Sequence, residues 1–211
     1  MALAPLQRET ADLMRLADRD LSHLWRLIAD GASAEIALRD LLPAIITEYG
    51  LLGAALAAAW YDDQRAKAGT RGRFTATPVQ AKDRGTQALV GWALKTASND
   101  DDLKTLVSGG VQRRVTDHVR HTVAGNSVTD PGGRGWKRIG AGACDFCRML
   151  IDRDELYSEA TADFASHDHC NCQAYPILKG AEPIDVKKWT GPRPNITDAD
   201  RARVREYLAT H

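Results

Sequence analysis

All four cysteines of this 211-residue chain fall in one short stretch, as Cys144-Asp145-Phe146-Cys147 and, further on, Ser166-His167-Asp168-His169-Cys170-Asn171-Cys172. Disulfides that staple a whole fold are usually spread along a secreted chain, so this crowding points to a small local unit instead. A CxxC turn aims two thiolates at one ion, and CxC or HxC spacing in a strand puts both side chains on one face. Tetrahedral zinc takes four N or S ligands, and Cys144, Cys147, His167, His169, Cys170 and Cys172 offer six. The expectation is a structural Zn site. Three alternatives stay open: a redox dithiol at Cys144 and Cys147, two disulfides in a particle that later leaves the cell, and plain buried thiols.

The length suits one good-sized domain, or a helical part with a small appended module. Lys and Arg number 28 against 28 Asp and Glu, which argues against a basic protein that coats polyanions and against an acidic DNA mimic. The longest apolar run, Leu51 to Tyr61, contains Gly53 and is followed by Asp62 and Asp63, so no membrane span is expected. Met1 to Arg8 shows no basic segment leading into an apolar one. A reducing cytoplasm is therefore the default compartment, in keeping with metal ligation by the cysteines.

Helical periodicity dominates the first two thirds. Leu6, Leu13, Leu16, Ala17, Leu24, Leu27 and Ile28 predict an amphipathic helix from Pro5 to Asp30, stopped by Gly31. Ser33 is the expected cap of a second helix through Ile36, Leu41 and Leu42, and Pro43 predicts a kink or restart before a long continuation. The small residues from Ala54 to Trp60, with Gly50 and Gly53 before them, favour close packing within the chain over an oligomer interface. Thr77-Pro78 predicts the start of a third helix reaching about Ala97. Asn99 and the run Asp100 to Asp102 predict a fourth, ending near Gly125. That helix carries Arg113, Arg114, His118, Arg120 and His121. A solvated surface is the plainer reading of this face, and weak contact of Arg113, Arg114 and Arg120 with phosphates is the functional one.

Thr129 to Gly135 is turn-rich and marks a boundary. The expected division is a helical body over 1–128, a Cys/His module over 129–180, and a linker with a C-terminal helix over 181–211. Two short strands are expected, at Trp136 to Ile139 and Cys170 to Pro176. Thr197 with Asp200 resembles a capping box for a terminal helix through Val204 and Leu208. The fold class is thus mainly α: a helical N-terminal body with a small α+β, zinc-knuckle-like C-terminal module.

No GxSxG, HExxH, Walker-type loop or helix-opening GxGxxG is present, and Ser127 and Ser166 lie near histidines in sequence only. A catalytic zinc would need a positioned carboxylate; Asp145, Glu159 and Asp168 are better read as surface groups. His167 and His169 leave room for a ββα-metal nuclease hairpin, but no helical Asn or His clearly follows. No catalytic residues are assigned.

The order of helical region, Gly-rich turn, Trp136, Cys144-x-x-Cys147, then His167-x-x-Cys170-x-Cys172 and Pro176 resembles the C-terminal signature of the MuF-like (Mu F-type) head morphogenesis proteins of bacteriophages, with the actinobacteriophage minor capsid branch nearest. The specific likeness covers about Trp136 to Ile177. It implies a low-copy minor capsid protein in the virion, inside the capsid near the portal, and in the host cytoplasm during assembly. Its implied partners are the portal protein and the major capsid or scaffold protein, with genomic DNA touched only non-specifically. The implied role is head assembly and DNA packaging or ejection, with no reaction. A capsid maturation protease is the runner-up, and a zinc-dependent nucleic-acid-binding protein a further alternative.

Overall fold

The computed structural model describes residues 4–81, 85–140, 150–151, 156–158, 164, 166–170 and 172–178. Cys144 and Cys147 of the expected zinc site, and the expected C-terminal helix, lie outside these residues. The described part is mainly helical: α1 (Ala4–Ala29), α2 (Ala34–Lys67), α3 (Thr86–Thr96) and α4 (Asp100–Thr129), followed by strands β1 (Trp136–Ile139), β2 (Leu156–Tyr157) and β3 (Gln173–Pro176). The strands form an antiparallel sheet in the order β2-β1-β3, with Trp136 opposite both Tyr157 and Pro176 and Ile139 opposite Gln173.

The helix ends follow their capping chemistry. Ser33 accepts from the Ile36 amide to open α2, and Asn99 accepts from the Asp102 amide at 2.9 Å to open α4. Gly31, at φ 104°, provides the left-handed turn between α1 and α2. Pro43 does not divide α2 as expected. Its ring nitrogen cannot donate to the Arg39 carbonyl, and Gln87 of α3 takes that place, its Nε2 donating to Arg39 O at 3.0 Å. The carbonyl released by proline becomes a tertiary contact, and the helix runs on.

The third helix also departs from expectation. Thr77-Pro78 opens no helix, and α3 begins only at Thr86 behind Gly85. Residues 70–81 lie extended against the helices and hydrogen-bond to side chains there. The amide of Ala76 donates to Asp62 Oδ1, that of Thr77 to Asn126 Oδ1 and that of Val79 to Thr122 Oγ1, each at 2.9 Å. Asn126 Nδ2 returns a bond to Thr77 O. Buried Asn126 and Thr122 give the extended segment the backbone partners that a helix would have made within itself. This is also why α4 continues past Gly125 to Thr129.

One hydrophobic cluster joins α1, α2, α3 and the first half of α4 through Leu13, Leu21, Leu38, Leu42, Val90, Val107 and Val111. A second, with Leu6, Ala57, Tyr61, Val119, Val123, Trp136, Phe164, Cys172 and Ala174, is shared between the helices and the sheet. The strands therefore have no core separate from the helical body. The chain between them is anchored by Asp130, whose buried carboxylate accepts from Arg65 Nε at 2.8 Å, Tyr61 Oη at 3.2 Å and the Gly132 amide at 2.8 Å. Burial and the Asp130 charge push the Tyr61 phenol well above its usual range. Tyr49, hydrogen-bonded to Asp20 of α1 at 2.7 Å, is likewise pushed up to about 12 by that bond, with burial adding to it.

By length and composition α2 is apolar enough to cross a bilayer, with 39 % of its most apolar window buried. Glu48 interrupts its apolar sequence ahead of the run Leu51 to Tyr61. Its small residues serve helix packing: a Cβ at Gly53 would lie 3.0 Å from Val119 and 3.2 Å from Leu13, and one at Gly50 would lie 2.6 Å from the His118 ring. The opposite side leaves Leu51, Leu52 and Leu56 exposed.

Gly50 thus holds open the space for His118, a 5 % exposed ring whose Nδ1 lies 2.9 Å from Arg114 O. Gly50→Ala is expected to lower stability by about 1–3 kcal/mol through overpacking. In a chemical-denaturation double-mutant cycle with His118→Ala, most of that loss should disappear; an additive pair would refute the contact as its cause.

Candidate Cys/His centre docked on the fourth helix

Ser166, Asp168, His169, Cys170 and Cys172 lie along one face of α4. Gly109, Arg113, Asp117 and Arg120 recur at steps of four, four and three, which aligns them on a helix. At Gly109 the ring of His169 sits so close that a Cβ there would fall 2.5 Å from its Nε2. Arg113 Nη1 approaches Asp168 Oδ1 at 3.8 Å. Asp117 Oδ1 accepts from Ser166 Oγ at 2.7 Å. Arg120 donates to Cys172 O from Nε at 2.9 Å and to Cys170 O from Nη2 at 2.6 Å, while its Nη1 donates to Asp117 Oδ1 at 2.8 Å.

This corrects the reading of α4 as a solvated basic face. Arg120 is 0 % exposed, so it contacts no phosphate in this fold; its planar guanidinium instead donates to two carbonyls and a carboxylate. Arg114 is half-buried, and its Nη1 and Nη2 donate to Gly110 O and Gly85 O at 3.1 and 3.2 Å. Arg113 keeps 38 % of its side chain exposed, and it faces Asp168.

Cys170 and Cys172 are buried, at 2 % and 0 % exposure. The sheet register sets their surroundings. Arg138 pairs with Ala174, so one step further along the ladder Gly140 comes opposite Cys172, on the same side as Arg138 and Trp136. The Cys172 sulfur lies 3.2 Å from where a Cβ on Gly140 would stand, so that glycine leaves room for it. Gly140 is also where the chain leaves toward Cys144 and Cys147. His167 Nδ1 lies 2.7 Å from Asp168 O, and the Cys170 amide donates to His167 O at 3.2 Å, closing a tight turn through His169 at φ 59°. The two histidines are thereby separated: His169 packs on Gly109, and His167 stays at the base of the turn that carries Cys170.

Sequence reasoning missed the aromatic and cationic stack beside these cysteines. Trp136 stacks on Tyr157 with ring centres 4.4 Å apart and on Phe164 at 5.5 Å. The guanidinium carbons of Arg138 and Arg120 lie 3.8 and 5.0 Å from the Phe164 ring centre. Arg138 is 5 % exposed; its Nη2 donates to Phe164 O, while Nε and Nη1 have no partner among the described residues. The alternation Trp136-Lys137-Arg138-Ile139 carried the signal, because in a strand Arg138 shares the inward face of Trp136. Asp117 carried one as well, standing three residues before Arg120 on the same helical face.

Ser127 and Ser166 are both tied to structure. Ser127, 1 % exposed, donates to Val123 O at 2.6 Å, and Ser166 donates to an aspartate already bonded to Arg120.

Removing the guanidinium would take a charged donor from Asp117, which keeps only Ser166 among the described side chains, and from the carbonyls of Cys170 and Cys172. Arg120→Met is therefore expected to cost about 3–5 kcal/mol. Hydrogen exchange should quicken at residues 166–178 more than in α1 to α3. Uniform loss of protection, or none, would contradict this account of how the segment is fastened.

Compared with known protein families, residues 1–191 match VG15 protein. No curated protein and no solved structure matches the chain.

Proposed function

Since the chain belongs to the VG15 protein family, a phage protein family, we propose that it is a minor component of the phage head of the MuF-like morphogenesis type, placed inside the capsid near the portal. There it assists head assembly and DNA packaging or ejection through contacts with portal, major capsid or scaffold protein. The observation that carries this reading is the fastening of Ser166, Cys170 and Cys172 to α4 by Arg120 and Asp117, which ties this part of the Cys/His segment to the helical body. Such an architecture suits a protein that holds neighbours in register. The burial of Arg120 and the engagement of Arg114 favour protein partners over a phosphate backbone.

The same segment is proposed to close around one structural zinc ion, with Cys144, Cys147 and Cys172 as ligands and His167 or Cys170 as the fourth. Two features support this. The Cys172 sulfur lies beside Gly140, four residues before Cys144, where the CxxC begins, and the buried Arg138 guanidinium on the same sheet face has two donor nitrogens unfilled among the described residues, which suits a negatively charged thiolate centre. His169, seated on Gly109, is assigned to packing.

Protein purified under reducing conditions is expected to carry one zinc per chain. Cys172→Ser should remove it and His169→Ala should retain it, as read by metal analysis. Zinc-free wild type would overturn the metal reading, and zinc loss in His169→Ala would overturn the ligand assignment.

The head role is tested in infected cells. Tagged protein should recover portal or capsid protein regardless of nuclease treatment, and Ser166→Ala should leave any shortening of the capsid precursor unchanged. Recovery of nucleic acid alone would replace this reading with a nucleic-acid-binding one, and blocked shortening would replace it with a protease.

A further inference from the structure

Two turns rich in glycine and arginine, distant in sequence, meet where α2 and α4 both end. The first is Thr70-Arg71-Gly72-Arg73, in which Gly72 takes φ 91°; the second is Gly132-Gly133-Arg134-Gly135, in which Gly135 takes φ 105°. Arg65, in the last turn of α2, joins them. Its Nη2 donates to Arg71 O at 3.1 Å and to Gly72 O at 3.0 Å, while its Nε holds Asp130, whose other oxygen accepts from the Gly132 amide. Gly132 packs directly on Thr70, the place of a Cβ there being taken already by Thr70 Cγ2.

Arg71, Arg73 and Arg134 are exposed, and no ion pair or side-chain hydrogen bond engages them among the described residues. Helix capping does not account for them. The carbonyls that end α2, on Gln64, Arg65 and Ala66, already accept from the amides of Ala68, Thr70 and Gly69. Nor do neighbouring carboxylates. Asp130 is buried against Arg65, Asp63 is paired with Lys67, and half-buried Asp62 accepts from the Ala76 amide. A chain without net charge thus gathers three unpaired guanidinium groups at one end.

The surroundings decide what such a patch fits. A protein interface is centred on buried apolar anchors. The exposed large apolar side chains lie on α1, on α3 and between Ile36 and Leu56 of α2, and none belongs to residues 62–81 or 129–140. Phe74, beside Arg73, packs inward against Tyr61 and Arg65. A guanidinium fork matches phosphate oxygens, and glycines next to it let a sugar-phosphate chain come close to the backbone.

We propose that the two turns form a contact for the phosphate backbone of a nucleic acid, with no preference among sequences. Nucleic-acid contact thereby moves from α4, where Arg120 and Arg114 are engaged, to the end of the α2–α4 pair. These residues play no part in the head-protein reading, and either can fail without the other.

The test is fluorescence anisotropy of a labelled DNA duplex of about 30 bp, titrated with the full chain at several salt concentrations. Three phosphate contacts predict a slope of about 2.7 on logarithmic axes, so affinity should fall about 40-fold between about 50 and about 200 mM salt. Duplexes of unrelated sequence should bind alike. Each of Arg71→Gln, Arg73→Gln and Arg134→Gln should lower the slope by about one, and the triple variant should lose at least about tenfold in affinity with an unchanged unfolding midpoint. Changing Arg15, Arg19 and Arg26, exposed on α1, together to Gln removes the same charge and should leave binding intact. No binding of the duplex, unchanged binding in the triple variant, or an equal loss in the α1 variant would each overturn the proposal. So would polyglutamate of matched charge binding as tightly as the duplex, because that assigns the turns to an acidic protein segment.

Discussion

The buried guanidinium of Arg120 is the contact through which the two halves of this fold become one. It lies at 0 % exposure between α4 and the Cys/His segment, bonded to the carbonyls of Cys170 and Cys172 and to Asp117. Burying a charge is unfavourable unless geometry and hydrogen bonds compensate for it, and here all three guanidinium nitrogens donate. The carbonyls belong to Cys170 and Cys172, which stand outside regular secondary structure. A lysine would offer one nitrogen in place of three spread in a plane, and an alkyl side chain none. The cysteines thus owe their position to a helix far away in sequence.

Around that contact the packing divides unequally. The first cluster belongs to the helices alone and is aliphatic, with small residues of α2 allowing α4 to come close. The second is built by both halves and is rich in aromatics, with Trp136, Trp60, Tyr61 and Phe164 among its members. A three-stranded sheet whose strands are four, two and four residues long cannot bury a core of its own. It borrows Ala57, Val119 and Val123 from the helices instead. An ion at the cysteines would therefore be added to a sheet already packed on a helical floor, unlike a free-standing metal finger whose only core is its metal.

Legibility in the sequence followed locality. The caps at Ser33 and Asn99, the period of α1 and α4 and the strand at Trp136 were all readable, because each depends on residues within a few positions of one another. Pro43 and Thr77-Pro78 misled for the opposite reason: Gln87 completes the helix at Arg39, and Asn126 and Thr122 hold residues 77–79 extended, all through side chains distant in sequence. The arginines of α4 were read as a surface stripe because charge normally faces solvent. No local pattern announces that Arg120 has carbonyl partners some fifty residues later.

That failure has a physical lesson for the candidate site. A ligand pattern such as His167-x-x-Cys170-x-Cys172 names the atoms able to bind a metal, but the supporting structure decides which of them face it. Here the turn at His169 places that ring on Gly109, Arg120 fixes the backbone on either side of Asn171, and Gly140 leaves space for the Cys172 sulfur. The helix that carries Arg120 thereby sorts the donors. Arg138, inward-facing on β1 with two donor nitrogens unfilled among the described residues, extends the logic from position to charge. A cation held at that depth is stable only beside negative charge or acceptor atoms, and thiolates on the same sheet face would supply the charge in the form that zinc also prefers.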